Sequence, residues 1–579
     1  MAHTYVFALA LLLPACGDTP VDTGDVGTET AAPRLVPPTL AVDSPARGAF
    51  FADTVVFSGQ ALAGDGALDA LTLNNDAIAL DTDGRFSVAL TPPPGLLVLG
   101  SRLTAADGGR AVDGRAVQVG PVRPPGDRVP RAVRVELGRA FLDNDTPAND
   151  DLASVIQVML RDPSFGAQLA AAPMTASGVT VQLRNVQIGD AAVDISPATG
   201  VMHLDLTLSN VNAGYDATSP VLDTPGTLHM DVMQLQLDVE VHPLAIGVEV
   251  TVPYAQASIQ GFSWTADSLP SFLTSLLEGV VQGVVEDKMT EQGRTLVQAM
   301  VADTLNAFTQ EIVYGDNGEV VVAVAVADAE AHPGGLVLWL DGLVRASSAG
   351  VHLPPGGGSL RTDAPLPAWP VVTTHSMTVV VDDDLVNQAL FAAWHAGMLT
   401  DLRYTGAELR DLTGADLPEP LGPAASAVLG LQLPPVITPP TGDGGVDIGL
   451  GELWLQVERQ DGQHVDASLN LRLEAELVVT DTSLRLAIDN RPSHVGVDVG
   501  MMAWPEALDP GDLAGLFRLS APALVRESSA IAPPFELPGI PLSDLVSAPS
   551  LAGETWRLTN VDHHLDAGGA LVLSGDITL

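Results

Sequence analysis

Acidic side chains are the most numerous groups in this sequence that could bind a metal. Asp76, Asp81 and Asp83 lie in turn-like segments, and carboxylate oxygens are the ligands that Ca²⁺ prefers. A single Asp-x-Asp-Gly is also common in hairpins, where the aspartate oxygen accepts backbone N–H groups. We interpret the three residues as turn residues, with a calcium site as the alternative.

A second acidic run covers residues 143–145 and 149–151. Its spacing departs from that of an EF-hand loop, and it directly precedes an apolar helix, whose N-terminus favours acidic residues. His563 and His564 are adjacent, so in a strand their side chains point to opposite faces and do not share one ion. We therefore predict no metal site, with calcium at the acidic run as the alternative.

Motifs that position a catalytic group are absent from the sequence. It has no G-x-S-x-G nucleophile elbow, no H-E-x-x-H and no Walker A motif, and its one cysteine excludes a cysteine pair. We therefore predict no catalytic residue, no cofactor and no enzyme activity.

That one cysteine, Cys16, closes a short apolar segment at the start of the chain. Residues 13–16 read LPAC and resemble the lipobox of bacterial lipoproteins, in which the cysteine sulfur carries diacylglycerol. We predict a lipoprotein signal peptide over residues 1–16 and lipid attachment at Cys16, against the alternative of a buried apolar helix. Gly17 follows directly and resembles outer-membrane sorting. We expect an exported, lipid-anchored protein on the outer membrane of a Gram-negative bacterium, at its periplasmic or outer face.

The charge balance excludes some partners. The formal net charge is −45, from 71 acidic and 26 basic residues, and Lys288 is the single lysine. Phosphate backbones are repelled by such a surface, so we predict no nucleic-acid partner. We expect membrane contact through the acylated Cys16 instead of through the acidic surface. The sequence predicts no particular oligomeric state.

The segments after the signal peptide are predicted to be a tether and a small β domain. Residues 17–36 lack hydrophobic periodicity, which predicts a flexible acidic tether. Residues 37–120 contain short alternating runs between turn signals, which predicts a β-sandwich. The order of these runs, from SPARGAFF to LTAADGGR, resembles bacterial immunoglobulin (Ig)-like modules. We expect this module to act as a spacer.

Residues 128–350 begin with long strands of alternating polarity. Leu228 and Met230 are in one phase of the alternation, and Met233 and Leu235 are in the other. A shift of one residue inside a continuous strand predicts a β-bulge and a bent sheet.

Two helices are predicted in the same region. Apolar residues fall at helical spacing from 269 to 308 and form one stripe, with Gln282 and Glu286 among the polar residues on the other side. A shorter apolar helix is predicted over residues 152–160. Both stripes need an apolar surface to cover them.

Residues 371–579 repeat these ingredients after a Pro/Gly linker at 351–370. A helix is predicted over residues 382–399, because acidic residues suit its N-terminus and apolar residues follow at helical spacing. Long alternating strands come next. The similar make-up of the two halves predicts a duplicated fold.

Together, these regions resemble the tubular lipid-binding family typified by bactericidal/permeability-increasing protein, lipopolysaccharide-binding protein and cholesteryl ester transfer protein. The resemblance rests on the strand-rich block that ends in the helix 269–308, on HSMTVVVDDDLVNQALFAAWHAGML at 375–399, and on the proline-rich PPFELPGIPLSDL with the final strands. The sequence lacks the disulfide of the family's first barrel and its basic tip.

The resemblance implies a fold and a ligand. The fold is α+β and mostly antiparallel β, with an N-terminal Ig-like β-sandwich before two tandem curved-sheet barrels (128–350 and 371–579), each wrapped on long apolar helices, in a boomerang joined by a central sheet. Each barrel holds acyl chains of a phospholipid or other acyl lipid between helix and sheet. The ligand-binding residues that we infer are Leu152, Val155, Ile156, Met159, Leu273, Leu276, Leu277, Val280, Val281, Val284, Val285, Val386, Leu390 and Trp394.

The predicted function is non-enzymatic lipid binding, extended to lipid transfer, by a membrane-anchored lipoprotein. The alternative is an adhesive or scaffold surface lipoprotein, in which the same apolar residues form closed cores without a lipid ligand. A third hypothesis is a sensor or scavenger of a nonlipid hydrophobe.

Overall fold

The computed structural model describes residues 36–579 with gaps. Outside the description are residues 1–35, 147–149, 172, 177–178, 220–221, 245–246, 267–270, 307, 315–318, 352, 363, 365, 369–374, 414–423, 439–445, 480–482, 489–494, 504–534, 537–539, 543–550, 552, 567 and 579. Cys16, the predicted signal peptide and residues 17–35 of the predicted tether therefore lie outside the described residues. No helix in the described ranges is both long enough and apolar enough to cross a membrane.

The chain first forms eight strands in two sheets. The strands are β1 (Thr39–Ser44), β2 (Phe50–Phe51), β3 (Val55–Leu62), β4 (Leu68–Leu73), β5 (Asp76–Ile78), β6 (Arg85–Leu90), β7 (Gly95–Ala105) and β8 (Arg110–Val119). The sheet β1-β3-β6 and the sheet β2-β8-β7-β4-β5 enclose one apolar core that includes Phe57, Leu71 and Leu99. This part of the chain has two β layers, as the alternating runs predict. Its identity as an Ig-like module stays a prediction.

The next stretch contains the first curved sheet and four helices. Its elements are β9 (Val122–Arg123), β10 (Val129–Gly138), α1 (Arg139–Leu142), α2 (Leu152–Arg161), α3 (Pro163–Ala170), β11 (Met174–Ala176), β12 (Val179–Ala198), β13 (Val201–Ser219), β14 (Leu222–Pro243), β15 (Val248–Gln260), β16 (Ser263–Ala266), α4 (Ser271–Asn306), β17 (Gln310–Tyr314), β18 (Val320–His332) and β19 (Gly335–Ala346). The predicted helices at 152–160 and 269–308 are confirmed to within two residues at each end.

The curved sheet has the order β11-β12-β13-β14-β15, with β16 also paired to β14. The predicted change of phase in β14 is present, because Met230 is buried before it and Met233 after it. β14 keeps one register with β13 through this point, and Asn210 of β13 has a left-handed φ of 53° there. The neighbour on the other side of β14 changes from β16 to β15. The bend therefore belongs to several strands and is not a bulge in β14 alone.

The remaining elements follow. They are β20 (Ser359–Leu360), β21 (Met377–Val381), α5 (Asp383–His395), β22 (Leu402–Thr405), α6 (Gly406–Thr413), β23 (Ala424–Leu431), β24 (Val436–Thr438), β25 (Val446–Arg459), β26 (His464–Val479), β27 (Ser483–Ile488), β28 (Val495–Ala503), β29 (Phe535–Glu536), β30 (Ile540–Pro541), β31 (Thr555–Leu565) and β32 (Leu571–Thr578). A second curved sheet has the order β22-β23-β25-β26-β27-β29, with β24 on β25 and β28 on β26. The predicted linker is not wholly irregular, since β20 pairs with β9.

The helices of the second half are shorter than predicted. α5 has 13 residues and ends at His395 instead of continuing to residue 399. Gly397 has a φ of 87°, its N–H bonds the carbonyl of Trp394, and the N–H of Met398 bonds the carbonyl of Ala393. This is a Schellman motif, which ends a helix at a glycine in the left-handed region. The long-helix prediction therefore describes α4, with 36 residues, but not α5.

A central sheet joins the two halves. Its order is β17-β18-β19-β10-β21-β32-β31-β30, so four strands of the first half meet four strands of the second half where β10 pairs with β21. The register is continuous across this junction, with Val135 opposite Leu338 on one side and Val379 on the other. The structure is thus mostly antiparallel β, with two curved half-barrel sheets attached to this sheet.

The N-terminal sandwich packs against the second curved sheet. An added Cβ at Gly451 of β25 would lie 2.5 Å from Leu96 of β7 and 3.0 Å from Ala116 of β8, so these strands touch at a glycine. Glu452 accepts hydrogen bonds from Arg47 and from the N–H of Ala116. The sandwich is therefore docked on the second half and is more than the spacer that the sequence predicted.

Candidate functional site

The concave face of the first curved sheet supplies the floor of the candidate site. In β13, Leu204, Leu206 and Leu208 are buried while Asp205 between them is exposed, as the alternation predicts. Met233 and Leu235 of β14 lie directly opposite Leu208 and Leu206, so the apolar rows of the two strands are adjacent. This floor is aliphatic because every second residue of each strand faces it.

The helix α4 covers one side of this floor and is bound to the free edge of β15. The N–H of Ala257 donates to Oγ1 of Thr290 at 3.0 Å, and the N–H of Ile259 donates to Oε1 of Glu286 at 3.0 Å. Nε2 of Gln282 donates to the carbonyl of Ile259 at 3.2 Å. The polar side of α4 therefore forms hydrogen bonds with the backbone of the edge strand β15. Unpaired backbone groups at the edge of a sheet otherwise attract other chains.

Asn306 makes a second attachment at the far end of α4. Its Oδ1 accepts the N–H of Val248 at 2.9 Å, and its Nδ2 donates to the carbonyl of the same residue at 3.2 Å. Between these attachments, an added Cβ on Gly293 would lie 2.2 Å from Leu235. The helix is thus held against the sheet over most of its length, and the space beside it is preformed.

The helices α2 and α3 cover the other side of the floor. Asp151 caps α2 by accepting the N–H of Ser154 at 2.6 Å, and Asp162 caps α3 by accepting the N–H of Ser164 at 2.9 Å. Pro163 occupies the first turn of α3, where its missing N–H costs no hydrogen bond. The two caps fix where the apolar faces of these helices meet the sheet.

A half-open groove of about 450 Å³ lies between α3, α4 and the sheet. Its lining is Leu160, Phe165, Gln168, Leu169, Leu206, Leu208, Met233, Leu235, Lys288, Met289, Glu291, Gln292, Gly293, Thr295, Leu296, Val297 and Ala299. The walls are mostly hydrocarbon, and the polar side chains come from α4 and from the end of α3. A volume of this size lies within the range of roughly 300–1,000 Å³ that small-molecule sites occupy.

A second, small cavity of about 40 Å³ lies further along the same seam between α2 and α4. On α2, Ile156 lines this cavity and Leu160, one turn later, lines the open groove. On α4, Val301 lines this cavity and Val297, one turn earlier, lines the groove. One turn of helix is about 5.4 Å long, so the two spaces are neighbours. The remaining lining is Leu137, Phe141, Leu142, Leu152, Ile195, Met202, Leu204, Met300, Thr304, Leu305, Phe308, Leu336 and Trp556.

The predicted ligand residues of α2 divide between these spaces and the core. Leu152 and Ile156 line the small cavity. Val155 and Met159 are buried in the large apolar cluster and line neither of the two cavities. The role of all four as ligand contacts stays a prediction.

On α4, Val285 is buried in the same cluster, and Val281 and Val284 pack against it. The backbone of Leu273, Leu276, Leu277 and Val280 lies within α4, but their side chains are outside the described residues. The groove uses the next part of the helix, from Lys288 to Ala299, which the sequence analysis did not select.

The predicted residues of α5 belong to the second half. Val386 and Leu390 pack against a small cluster that includes Ile437 and Ile448. Trp394 is buried, and its Nε1 donates to the carbonyl of Leu431 at 2.8 Å. This bond gives Trp394 a structural role at the end of the helix.

Several groove residues were missed although the sequence carried a signal for them. Asp162, Pro163 and Ser164 form a typical helix start, and they position Phe165 and Leu169 of α3. The predicted stripe on α4 continued through Met289 and Leu296, which line the groove, but nothing in the stripe distinguished groove residues from core residues. That distinction depends on the position of α3.

The acidic candidates have structural roles. Oδ1 of Asp81 accepts the N–H groups of Asp83 and Arg85 at 2.8 Å each, which are the contacts of a turn residue, whereas Asp76 begins the strand β5. Asp143 accepts the N–H of Ile195 at 3.1 Å, and Asp151 caps α2, so the second acidic run fixes a loop and a helix.

A third group, Asp382, Asp383 and Asp384, brings three carboxylates within 4.8 Å of one another. Asp382 caps α5, Asp383 accepts a hydrogen bond from the hydroxyl of Thr362, and Asp384 accepts one from the guanidinium of Arg123. Burial, together with the charges of Asp384 and Asp383, raises the pKa of Asp382 to about 7. The helix N-terminus disfavours a cation at this point.

Comparisons with known proteins found solved structures that are similar to this chain. No protein family and no curated protein matches the sequence. The chain is similar to the crystal structure of lipopolysaccharide binding protein, with a TM-score of 0.40 and 11% identity over 78% of this chain and 99% of that one. It is also similar to P47 of Clostridium botulinum E1 (0.25, 7%, 78% and 100%) and to Takeout 1 of Epiphyas postvittana (0.17, 14%, 26% and 84%). All three TM-scores are below 0.5, so the family stays a prediction.

Proposed function

We propose that this protein is a non-enzymatic lipid-binding protein that holds an acyl chain in the groove between α3, α4 and the first curved sheet. The observation that supports the proposal is the combination of a hydrocarbon-lined space of about 450 Å³ with an opening to solvent. The small cavity beside it, at about 40 Å³, does not have the volume for such a ligand.

The chemistry of the lining favours hydrocarbon over a polar substrate. Phe165, Leu169, Leu208, Leu235 and Leu296 all line the groove, and burying each methylene there is worth about 0.8 kcal/mol. A polar substrate requires several fixed hydrogen-bonding partners inside the site, and the polar lining residues lie instead on the helices at its border. The hydrogen bonds between α4 and β15 also hold the walls of the groove in place, which reduces the conformational entropy that is lost when a ligand binds.

The proposal also covers the location of the protein in the cell. Acylation of Cys16 would hold the protein at the outer membrane, and the groove would then take up lipid from a bilayer or deliver lipid to it. Replacement of Cys16 by alanine should move the full chain from the membrane fraction to the soluble fraction without changing lipid uptake by the purified protein. Retention of the Cys16→Ala variant in the membrane fraction would contradict the anchor.

The groove is tested directly with the full chain and a fluorescent phospholipid in vesicles. We expect lipids to co-purify with the protein and to be identified by mass spectrometry after solvent extraction. We also expect Ala299→Trp, which places a large ring at the exposed border of the groove, to reduce uptake severalfold. Arg294→Trp is the matched control, because Arg294 is exposed on the same helix but does not line the groove.

Two results would count against lipid binding. A wild-type protein that carries no lipid and takes none from vesicles would favour the closed-core adhesive or scaffold alternative. Equal uptake by Ala299→Trp and the wild type would place the bound lipid elsewhere in the molecule.

A further inference from the structure

The one lysine of the chain lies at the lipid groove. The sequence has 26 basic residues and 71 acidic ones, and Lys288 of α4 is the single lysine. Among the described residues that line the groove, it is also the one cationic side chain. A cation at this position is conspicuous in a chain with a net charge of −45.

Lys288 is mostly buried and lies between the apolar lining of the groove and an exposed carboxylate. The residue lines the groove together with Met289, and only 18% of its side chain is exposed. Its Nζ lies 3.5 Å from Oε2 of Glu291, whose side chain is 74% exposed. A lysine with a buried stem and its ammonium group near water lies at a boundary between hydrocarbon and solvent.

The partner of Lys288 can be displaced. Glu291 is three residues further along the same helix, and such pairs are weak when one member is mostly exposed. An acidic group on a ligand that is already anchored in the groove can therefore take the place of the Glu291 carboxylate. The exposed Glu291 loses little, because water replaces the ammonium group as its partner.

These observations match the form of an amphiphile with an acidic head. We propose that Lys288 selects the headgroup of the lipid in the groove, which carries a carboxylate or phosphate oxygen bonded to Nζ while its acyl chain lies on the sheet floor. This inference rests on the proposed function and adds the class of lipid. The acidic surface of the protein otherwise repels such a head, so its binding depends on this local cation.

The test compares three ligands with the same oleoyl chain on the full protein. They are oleate, oleoyl-lysophosphatidylglycerol and uncharged mono-oleoylglycerol, and each displaces an uncharged fluorescent dye from the groove. We expect the wild type to bind at least one acidic ligand more tightly than mono-oleoylglycerol. Lys288→Met should weaken that acidic ligand by about tenfold or more, since a bond to a charged group is lost, and should leave mono-oleoylglycerol unchanged.

Two further variants separate the site from general charge effects. Lys288→Arg keeps the cation and should keep most of the preference for the acidic ligand. Arg294→Met removes one positive charge from an exposed position of α4 outside the groove lining and should change nothing. The ligand that depends on Lys288 identifies the source of the acidic oxygen, as oleate offers a carboxylate and the lysolipid a phosphate.

The outcomes distinguish this inference from the proposed function. If Lys288→Met weakens all three ligands equally, or weakens none, Lys288 only packs and the headgroup role is wrong while lipid binding stands. If none of the three ligands displaces the dye from the wild type, the lipid site itself is wrong and the headgroup role falls with it.

Discussion

Nη1 of Arg47 lies 3.2 Å from both carboxylate oxygens of Glu452, across 405 positions of the chain. Glu452 is almost fully buried, and it also accepts the N–H of Ala116 and the hydroxyl of Ser468 at 2.6 Å each. One carboxylate thus connects the N-terminal sandwich to the second curved sheet.

A double-mutant cycle at this pair should show strong coupling. Removing Arg47 leaves the buried carboxylate of Glu452 without its cation, and such changes cost roughly 3–5 kcal/mol, whereas Arg47 keeps its ion pair with Asp113 when Glu452 is replaced. We expect each single change to destabilise the protein, and Arg47→Met to cost less in the Glu452→Gln background than in the wild type, because in that background it removes only the contacts of Arg47 to Asp113 and Gly114. Urea unfolding of the four proteins measures the coupling, and additive effects of the two changes would contradict a direct pair.

The second prediction concerns Trp556 near the end of the chain. Trp556 is buried and meets Phe141 of α1 edge to face, with ring centroids 5.3 Å apart. Both side chains line the small cavity. We expect Trp556→Ala to lower the free energy of unfolding by roughly 3–5 kcal/mol, as for other large-to-small changes in a core. Thermal and urea unfolding measure this loss, and a change of less than about 1 kcal/mol would mean that the ring contributes little to the core.

The third prediction tests the attachment of α4 to the sheet. Glu286→Ala together with Thr290→Ala removes the acceptors of two edge N–H groups in β15, at about 1 kcal/mol each. Hydrogen exchange of peptides that cover β15 should become faster, and the unfolding midpoint should fall. The control is Asp287→Ala with Thr295→Ala, two exposed positions of the same helix. Equal exchange rates in the two double variants would show that α4 does not protect this edge.

The fourth prediction is a pH dependence that arises from Asp382. The pKa of this residue is about 7 in the folded protein and 3.8 in its ordinary state, chiefly because burial disfavours the charged form. The folded state therefore binds the proton more tightly than the unfolded state. The stabilisation is complete below about pH 4 and is lost as the pH rises through about 7.

Asp382→Asn tests this dependence because asparagine also caps helices well and does not ionise. The variant should be close to the wild type in stability near pH 4 and increasingly more stable than the wild type up to pH 8. Asp205→Asn removes one exposed carboxylate from β13 and serves as the control. A stability difference between Asp382→Asn and the wild type that does not change with pH would contradict the raised pKa.

Periodicity in the sequence was sufficient to predict the main strand and helices that enclose the site. The alternation in β13 predicted its buried row, and the apolar stripes predicted α2 and α4 to within two residues at each end. The local signals for helix ends were also present, at Asp162-Pro163 for α3 and at Gly397 for α5, although neither was used. These features are local, because a few neighbouring residues determine caps, turns and faces.

The partners of each face were decided only by the tertiary structure. Gln282 and Glu286 were predicted to lie on the polar side of α4, but the sequence did not indicate that this side binds the edge of β15. Nothing near Trp556 in the sequence indicates that it completes a core with Phe141, and nothing near Arg47 indicates Glu452.

The sequence by itself therefore determined which residues are apolar, how they are spaced, and where the single lysine stands. The tertiary structure decided that part of the stripe on α4 borders an open groove while the rest packs into the core. The physical reason is that periodicity gives the direction of a side chain relative to its own element. Whether that side chain meets a neighbour or an empty space depends on elements from distant parts of the chain, here α3 and the curved sheet.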